Sequence, residues 1–242
     1  MGLISRLFGR DKKADTAEPG PAPDDSASDD TSPAPIAPEL ESALAALQRG
    51  DFHATLELAR GQIEASVPET RADAQRLCAM ALSELDRYPD AFEHWHALFE
   101  LEPSAHNALQ LATVSVMCNE VDRGGAWLTH CEQINATTHE IPPVSARTNF
   151  LSALNRAGHS EAALVHLQWL REVFAQVHVT DSNYLYMRGV PFFGAFLDNS
   201  LPMLQTQLAP AQVREWYAEL DGKLDEDGQA TLRNWIAALP PG

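Results

Sequence analysis

Lysine is nearly missing from this chain: Lys12, Lys13 and Lys223 are the only three in 242 residues. Acids outnumber bases by 34 to 17, and the formal net charge is −17. A surface of that kind has no electrostatic footprint for a phosphate backbone, so nucleic-acid binding is disfavoured. The acidity favours basic partners or serves solubility alone. Cysteine is as sparse. Cys78, Cys118 and Cys131 are far apart, odd in number, never in a C-x-x-C pair and set within apolar helical patterns. They exclude a disulfide framework and read as buried thiols in a reducing compartment. No apolar run reaches transmembrane length, and the apolar N-terminal residues are interrupted by Arg6, unlike a secretory signal. Alternating β-branched runs are scarce as well, while Ala, Leu, Glu, Gln and Arg abound, which predicts an all-α chain.

Catalytic and ligand motifs are missing too. There is no G-x-S-x-G, no P-loop and no G-x-G-x-x-G. His94 and His96 flank Trp95, but an i, i+2 pair on a helix points to different faces, whereas helical zinc ligands need i, i+3 or i+4 spacing. His139-Glu140 runs into "IPP", which stops a helix before a second histidine could follow. The stretch 223–234 places Asp225, Asp227 and Gly228 at the third, fifth and sixth positions of a calcium loop, yet Lys223 and Asn234 occupy the first and twelfth. It reads as an acidic turn at the start of the last helix. The expectation is therefore a protein without catalytic residues, metal or cofactor.

What is present begins with a short head, residues 1–13, "MGLISRLFGRDKK". Leu3, Ile4, Leu7 and Phe8 share one helical face, with Arg6, Arg10, Lys12 and Lys13 beside or after it. Such a segment can lie weakly in a lipid interface or dock on a protein, and both readings stay open. Gly2 does not make a myristoylation signal, because Arg6 stands where Ser or Thr is wanted. Residues 14–38 are almost wholly Ala, Pro, Asp, Ser and Gly, a composition that cannot bury enough apolar surface to order itself. They read as a disordered acidic linker.

From residue 39 a helical hairpin recurs. In residues 72–105, Cys78, Ala79, Leu82 and Leu85 form one apolar stripe, "DRYPD" breaks the helix, and Ala91, Trp95 and Leu98 form a second stripe at offsets of four and seven. Residues 40–68 repeat the design with Gly50 at the turn and Leu56, Ala59 and Ile63 after it. Residues 106–135 repeat it with Ala126, Trp127, Cys131 and Ile134, and residues 143–174 with Gly158, Ala162, Ala163, Leu167 and Leu170. The turns recur about every 36 residues, a period that predicts an α-solenoid in which each hairpin buries its face against the next. Residues 176–242 leave the period. Phe192, Phe193 and Phe196, then Val213, Trp216, Tyr217, Leu220 and Leu224 on one helix, then Leu232, Trp235, Ile236 and Leu239 on another, read as a helical terminal cap.

On those residues, 39–175 resembles a tetratricopeptide-repeat protein. Residues 72–105 carry the likeness best: Ala79 in the small position of the first helix, Ala91, Trp95 and Leu98 in the row of the second, and Pro103 at the end. The first-helix Trp and Leu-Gly pair of the pattern are absent, and Gly124-Gly125 departs from it in the third unit. The resemblance implies a concave groove lined by first helices, whose inward positions are Arg76, Met80, Asn107, Gln110, Val114, Met117, Thr148, Ser152, Asn155 and Arg156. Amides and hydroxyls there suit a peptide backbone, and the methionines supply adaptable apolar contact. The lysine clamp that some relatives use for a C-terminal carboxylate is missing. Two functions are expected: a non-catalytic adaptor that holds a peptide or helix, or an acidic chaperone or inhibitor that sequesters one basic protein. A third class, enzyme or metal-binding protein, has no residues to carry it. The expected location is cytoplasmic, at the inner face of a membrane if the head engages lipid.

Overall fold

A computed structural model describes residues 36–239. The head with Leu3, Ile4, Leu7 and Phe8, and residues 14–35 of the linker, lie outside the described residues. The expected linker boundary at residue 38 moves back, because Ile36 and Ala37 already pack against the core and Pro38–Leu40 forms a 3-10 turn with Leu40 fully buried.

Twelve α-helices and no strand occur among the described residues. The first eight pair as α1 (Glu41–Gln48) with α2 (Phe52–Arg60), α3 (Pro68–Glu84) with α4 (Tyr88–Leu101), α5 (Ala105–Met117) with α6 (Val121–Thr138), and α7 (Pro143–Arg156) with α8 (Ser160–Val177). The chain ends with α9 (Ser182–Met187), α10 (Phe193–Gln207), α11 (Pro210–Ala218) and α12 (Glu226–Ala238). Contacts run mainly between chain neighbours, with α1 also touching α3, α5 touching α7 and α8 touching α10.

One turn closes all four pairs. Its central residue is left-handed, at Gly50, Asp86, Asn119 and Gly158. The next N–H then reaches back to the ending helix: Asp51 to the Ala46 carbonyl at 3.0 Å, Arg87 to Leu82 at 2.9 Å, Glu120 to Ser115 at 2.9 Å, and His159 to Leu154 at 2.9 Å. This satisfies carbonyls that a helix end leaves open, and the donating residue starts the next helix. Four residues later each second helix buries a small residue, Thr55, Ala91, Gly124 or Ala163.

Behind that small residue the expected rows hold in two units and shift in a third. Ala91, Trp95 and Leu98 are all buried, as are Ala163, Leu167 and Leu170, whereas Ala162 is half-buried; in the first pair Leu56 and Ala59 are buried, but half-buried Ile63 falls in the turn after α2. In α6 the buried row is Gly124, Leu128 and Cys131, not Ala126, Trp127, Cys131 and Ile134: Ala126 is exposed and Trp127 and Ile134 only half-buried. Glycine is the reason. A Cβ at Gly124 would lie 2.8 Å from Val116 Cγ2 and 3.0 Å from the Ala112 carbonyl, so the departure from the repeat pattern is what lets α6 approach α5.

The C-terminal region packs on the last hairpin with aromatics. Phe193 and Phe196 pack on Phe174 of α8 at centroid distances of 5.1 and 4.8 Å. Leu220 and Leu224 lie in the turn after α11, not on it.

Candidate functional site

Helices α5 and α7 form the floor of a groove of about 550 Å³, whose first wall is the end of α3 with Ser83 and Glu84, and Tyr88 of α4. Gln110, Val114 and Met117 reach it at helical spacing from α5, and Thr148, Ser152 and Arg156 from α7. A second cavity of about 580 Å³ shares Thr148, Asn149, Ser152 and Arg156, and extends the groove past Asn155 to Phe192, Phe196 and Asn199. Seven of the ten expected groove residues are thereby brought together.

Three are not. Met80 is only 3% exposed and belongs to the core. Asn107 is buried, and its side-chain amide donates to the Glu102 carbonyl at 2.8 Å, closing the end of α4. Arg76 pairs with Asp73 and Glu102. The reason is local: Asn107 stands three residues after the Ser104 cap, on the first turn of α5, where the preceding helix end needs donors more than the groove does.

The hydroxyls on the walls are engaged in part. Thr148 donates to the Val144 carbonyl and Ser152 to the Thr148 carbonyl, both at 2.8 Å, and Ser145 to the Gly189 carbonyl at 3.0 Å. The side-chain amides of Gln110, Asn149, Asn155 and Asn199 make no hydrogen bond among the described residues. Each leaves two donors and an acceptor open. The sequence pattern missed Asn149 and Asn199, because Asn149 lies beside the inward row and Asn199 lies in the region taken as cap. The aromatic cluster also divides: Phe193 and Phe196 are buried, while Phe192 is 49% exposed at the far end of the groove, next to exposed Tyr186.

Arg156 is not a free cation. Its Nη2 donates to Asp86 Oδ1 at 2.7 Å and to the Tyr88 hydroxyl at 2.6 Å, joining α7 to the α3–α4 turn across the groove rim. Tyr88 in turn donates to Asp86. Burial, then that hydrogen bond, pushes the Tyr88 phenol up to about 12, so it stays protonated and donating at neutral pH.

Elsewhere the side chains are structural. Asp225 caps α12, accepting from Gly228 N–H at 2.9 Å and from Thr180 N–H at 2.7 Å. Burial pushes its carboxyl up, and the hydrogen bonds from Thr180 and Gly228 outweigh that and hold it below the ordinary range. Burial raises the Cys78 and Cys131 thiols to about 11, leaving them protonated. His94 Nδ1 sits 2.6 Å from Gln75 Oε1, and His96 stacks on Phe92, so the two histidines point apart. Among the described residues no group of three or more His, Cys, Asp or Glu is placed to hold a metal ion. No helix among them is long and apolar enough to cross a membrane.

Neither a scan against protein-family models nor a search of the curated proteins finds a match to this chain. The groove's geometry therefore carries the functional argument.

Proposed function

We propose that the chain is a tetratricopeptide-like α-solenoid acting as a non-catalytic adaptor, which holds an extended or helical peptide in the groove over α5, α7 and α10. The solenoid reading is supported by the fourfold turn and the small residue after each, since one backbone pattern recurring in consecutive hairpins is what stacked repeats require. The binding reading rests on one observation: two confluent cavities lined by the open amides Gln110, Asn149, Asn155 and Asn199. Amides suit a peptide main chain because they donate and accept at once, and a ligand lacking matching groups would leave them unpaired.

Panning a displayed library of 12-residue peptides against the full chain tests this. Enriched peptides should lose at least tenfold in affinity for Ser152→Trp, which fills the shared stretch from an exposed position. Enrichment of peptides whose binding survives both Ser152→Trp and Asn199→Arg would place the binding surface elsewhere. Salt separates the two partner classes. Affinity that collapses between 50 and 500 mM salt would favour the basic-protein chaperone over the amide-reading adaptor.

A further inference from the structure

We propose that the groove selects one class of peptide: a segment whose aromatic or large aliphatic side chain packs against Tyr186 and Phe192 at one end, and whose lysine or arginine meets Glu84 at the other. The proposal rests on the groove-binding reading and adds its specificity.

Exposure carries the apolar end. Six large apolar side chains are exposed among the described residues. Leu58, Val67 and Val165 stand singly in α2, before α3 and in α8, which is ordinary for a protein surface. Tyr186, Met187 and Phe192 instead fall within seven residues, and Tyr186 and Phe192 line the same cavity. A cluster of that kind beside polar groups marks a contact site. The cavity floor there is core, with Leu151, Val190 and Phe196 buried, so the apolar surface open to a ligand is that of the two rings, 76% and 49% exposed.

The backbone holds those rings in place. Tyr186 stands in the last turn of α9, and Phe192 is the N-cap of α10. Between them Val190 N–H reaches the Leu185 carbonyl at 2.9 Å, and Ser145 Oγ of α7 donates to the Gly189 carbonyl at 3.0 Å. Leu185, Val190 and Phe193 are buried on either side of the turn. Phe193 supplies the core contact with Phe174, which leaves Phe192 facing the cavity. Aromatic rings on a fixed backbone lose little freedom when a ligand covers them, so they give affinity at low entropic cost.

Charge sets the other end. Besides His106, the charged side chains lining the first cavity are Glu84 and Arg156. Arg156 is neutralised by Asp86, whereas Glu84 is exposed and has no ion pair among the described residues. The open charge of the lining is therefore negative and complements a basic side chain. One exposed ion pair changes affinity only about two- to fivefold, so the rings set affinity and Glu84 sets preference.

The test sequences the peptides panned on the full chain and remakes the tightest with its basic residue changed to Glu. Enriched peptides should share an aromatic or large aliphatic residue and a Lys or Arg. Tyr186→Ser/Phe192→Ser should weaken binding about tenfold or more with helical content unchanged, since both positions are exposed. Glu84→Lys should reverse the charge preference, so that the Glu peptide binds more tightly than its parent. Undiminished binding to the ring variant, or an unreversed preference, overturns this proposal; if binding is still lost in Ser152→Trp, the adaptor reading stands. Ring-dependent binding that survives both Ser152→Trp and Asn199→Arg overturns the groove reading instead, and this proposal with it. Self-association at about 100 µM that the ring variant abolishes would assign the rings to a second copy of the chain. Ring-dependent pelleting with phosphatidylcholine vesicles would assign them to lipid. Either result overturns the peptide as occupant.

Discussion

Between Glu41 and Val177 every hairpin closes with the same left-handed turn and the same buried small residue, whereas from His178 onward side chains hold the chain in place. Tyr217 is fully buried among Trp216 and Trp235, and its hydroxyl lies 2.7 Å from Ser200 Oγ. Arg171, itself buried, donates to the Trp216 carbonyl at 2.9 Å and pairs with Glu219 at 2.6 Å, fastening α8 to α11. One region is specified by backbone geometry at short range, the other by contacts far apart in the chain. The turn alone does cross between them: Val190 N–H reaches the Leu185 carbonyl at 2.9 Å behind left-handed Gly189, so a fifth copy opens the C-terminal region with different packing around it.

The largest effect should come from the repeat row. Trp95 is buried between Ala91 and Leu98, and Trp95→Ala should cost ~3–5 kcal/mol in urea unfolding. A loss under about 1 kcal/mol would take Trp95 out of the core. Next comes the fifth turn. Gly189→Ala should cost roughly 2–4 kcal/mol, because an L-residue resists the left-handed conformation and its Cβ would lie 2.6 Å from Ser145 Oγ and 2.8 Å from Pro142 Cβ. An unchanged unfolding midpoint would mean that this turn is not fastened to α7.

The adjacent glycines of α6 sharpen the same contrast. Gly124→Ala should cost ~1–3 kcal/mol, since the new methyl meets Val116, the Ala112 carbonyl and Phe150. Gly125→Ala, with nothing within 4 Å of its Cβ, should instead gain about 0.5–1 kcal/mol from helix propensity. Equal effects of the two changes, read by thermal unfolding, would contradict the close α5–α6 crossing.

Those glycines also show where sequence reasoning holds and where it stops. Breaker residues and apolar spacing place the four hairpins, because each of those signals lies within a few residues of what it specifies; the even period of about 36 does not hold, since the turns at Gly50, Asp86, Asn119 and Gly158 fall 36, 33 and 39 residues apart. The row in α6 escapes, because the pattern rewards large apolar residues such as Trp127, while close approach selects for no side chain at all. The groove is legible in part for a related reason. Helical spacing aligns Gln110 with Met117 and Thr148 with Ser152, but it carries no information about internal satisfaction. Asn107 spends its amide on Glu102, so Asn107→Ala tests stability and not partner capture. The contribution of the C-terminal region through Phe192 and Asn199 depends on where α10 packs against the preceding helices, which no local signal specifies.

Acid should weaken the fold. Burial, joined by Arg60, lowers the His94 pKa, and burial, joined by Arg147, lowers that of His166. A depressed histidine leaves stability unaffected above the unfolded value near 6.5; below it the unfolded chain takes up a proton that the folded chain refuses. Stability should fall as pH drops from about 6.5 toward the folded values. Changing His94 and His166 together to Gln should flatten the dependence of the thermal midpoint between pH 7 and 5.5. An unaltered slope would assign it to the carboxylates.

The smallest effect on stability should come from Arg156, and the reason gives the change its value. The Arg156–Asp86 pair is mostly solvent-exposed, with side-chain accessibilities of 62% and 68%. Exposed pairs of this kind contribute ~0–1 kcal/mol and are screened by salt. Arg156→Ala should therefore leave helical content unchanged and move the unfolding midpoint little. The same guanidinium nonetheless spans the rim of the groove from α7 to the α3–α4 turn, and its removal leaves Asp86 and the Tyr88 hydroxyl bonded only to each other beside the lining. If Arg156 acts only as a rim contact, a groove peptide should bind Arg156→Ala as tightly as the parent chain or more so. If it serves as a recognition cation that releases Asp86 for a partner carboxylate, affinity should fall by ten-fold or more, since truncating a buried charge pair costs ~2–5 kcal/mol. Fluorescence anisotropy on the folded variant at low and high salt separates the two. The internal partners of Arg156 favour the first outcome, and a salt-independent loss of binding would establish the second.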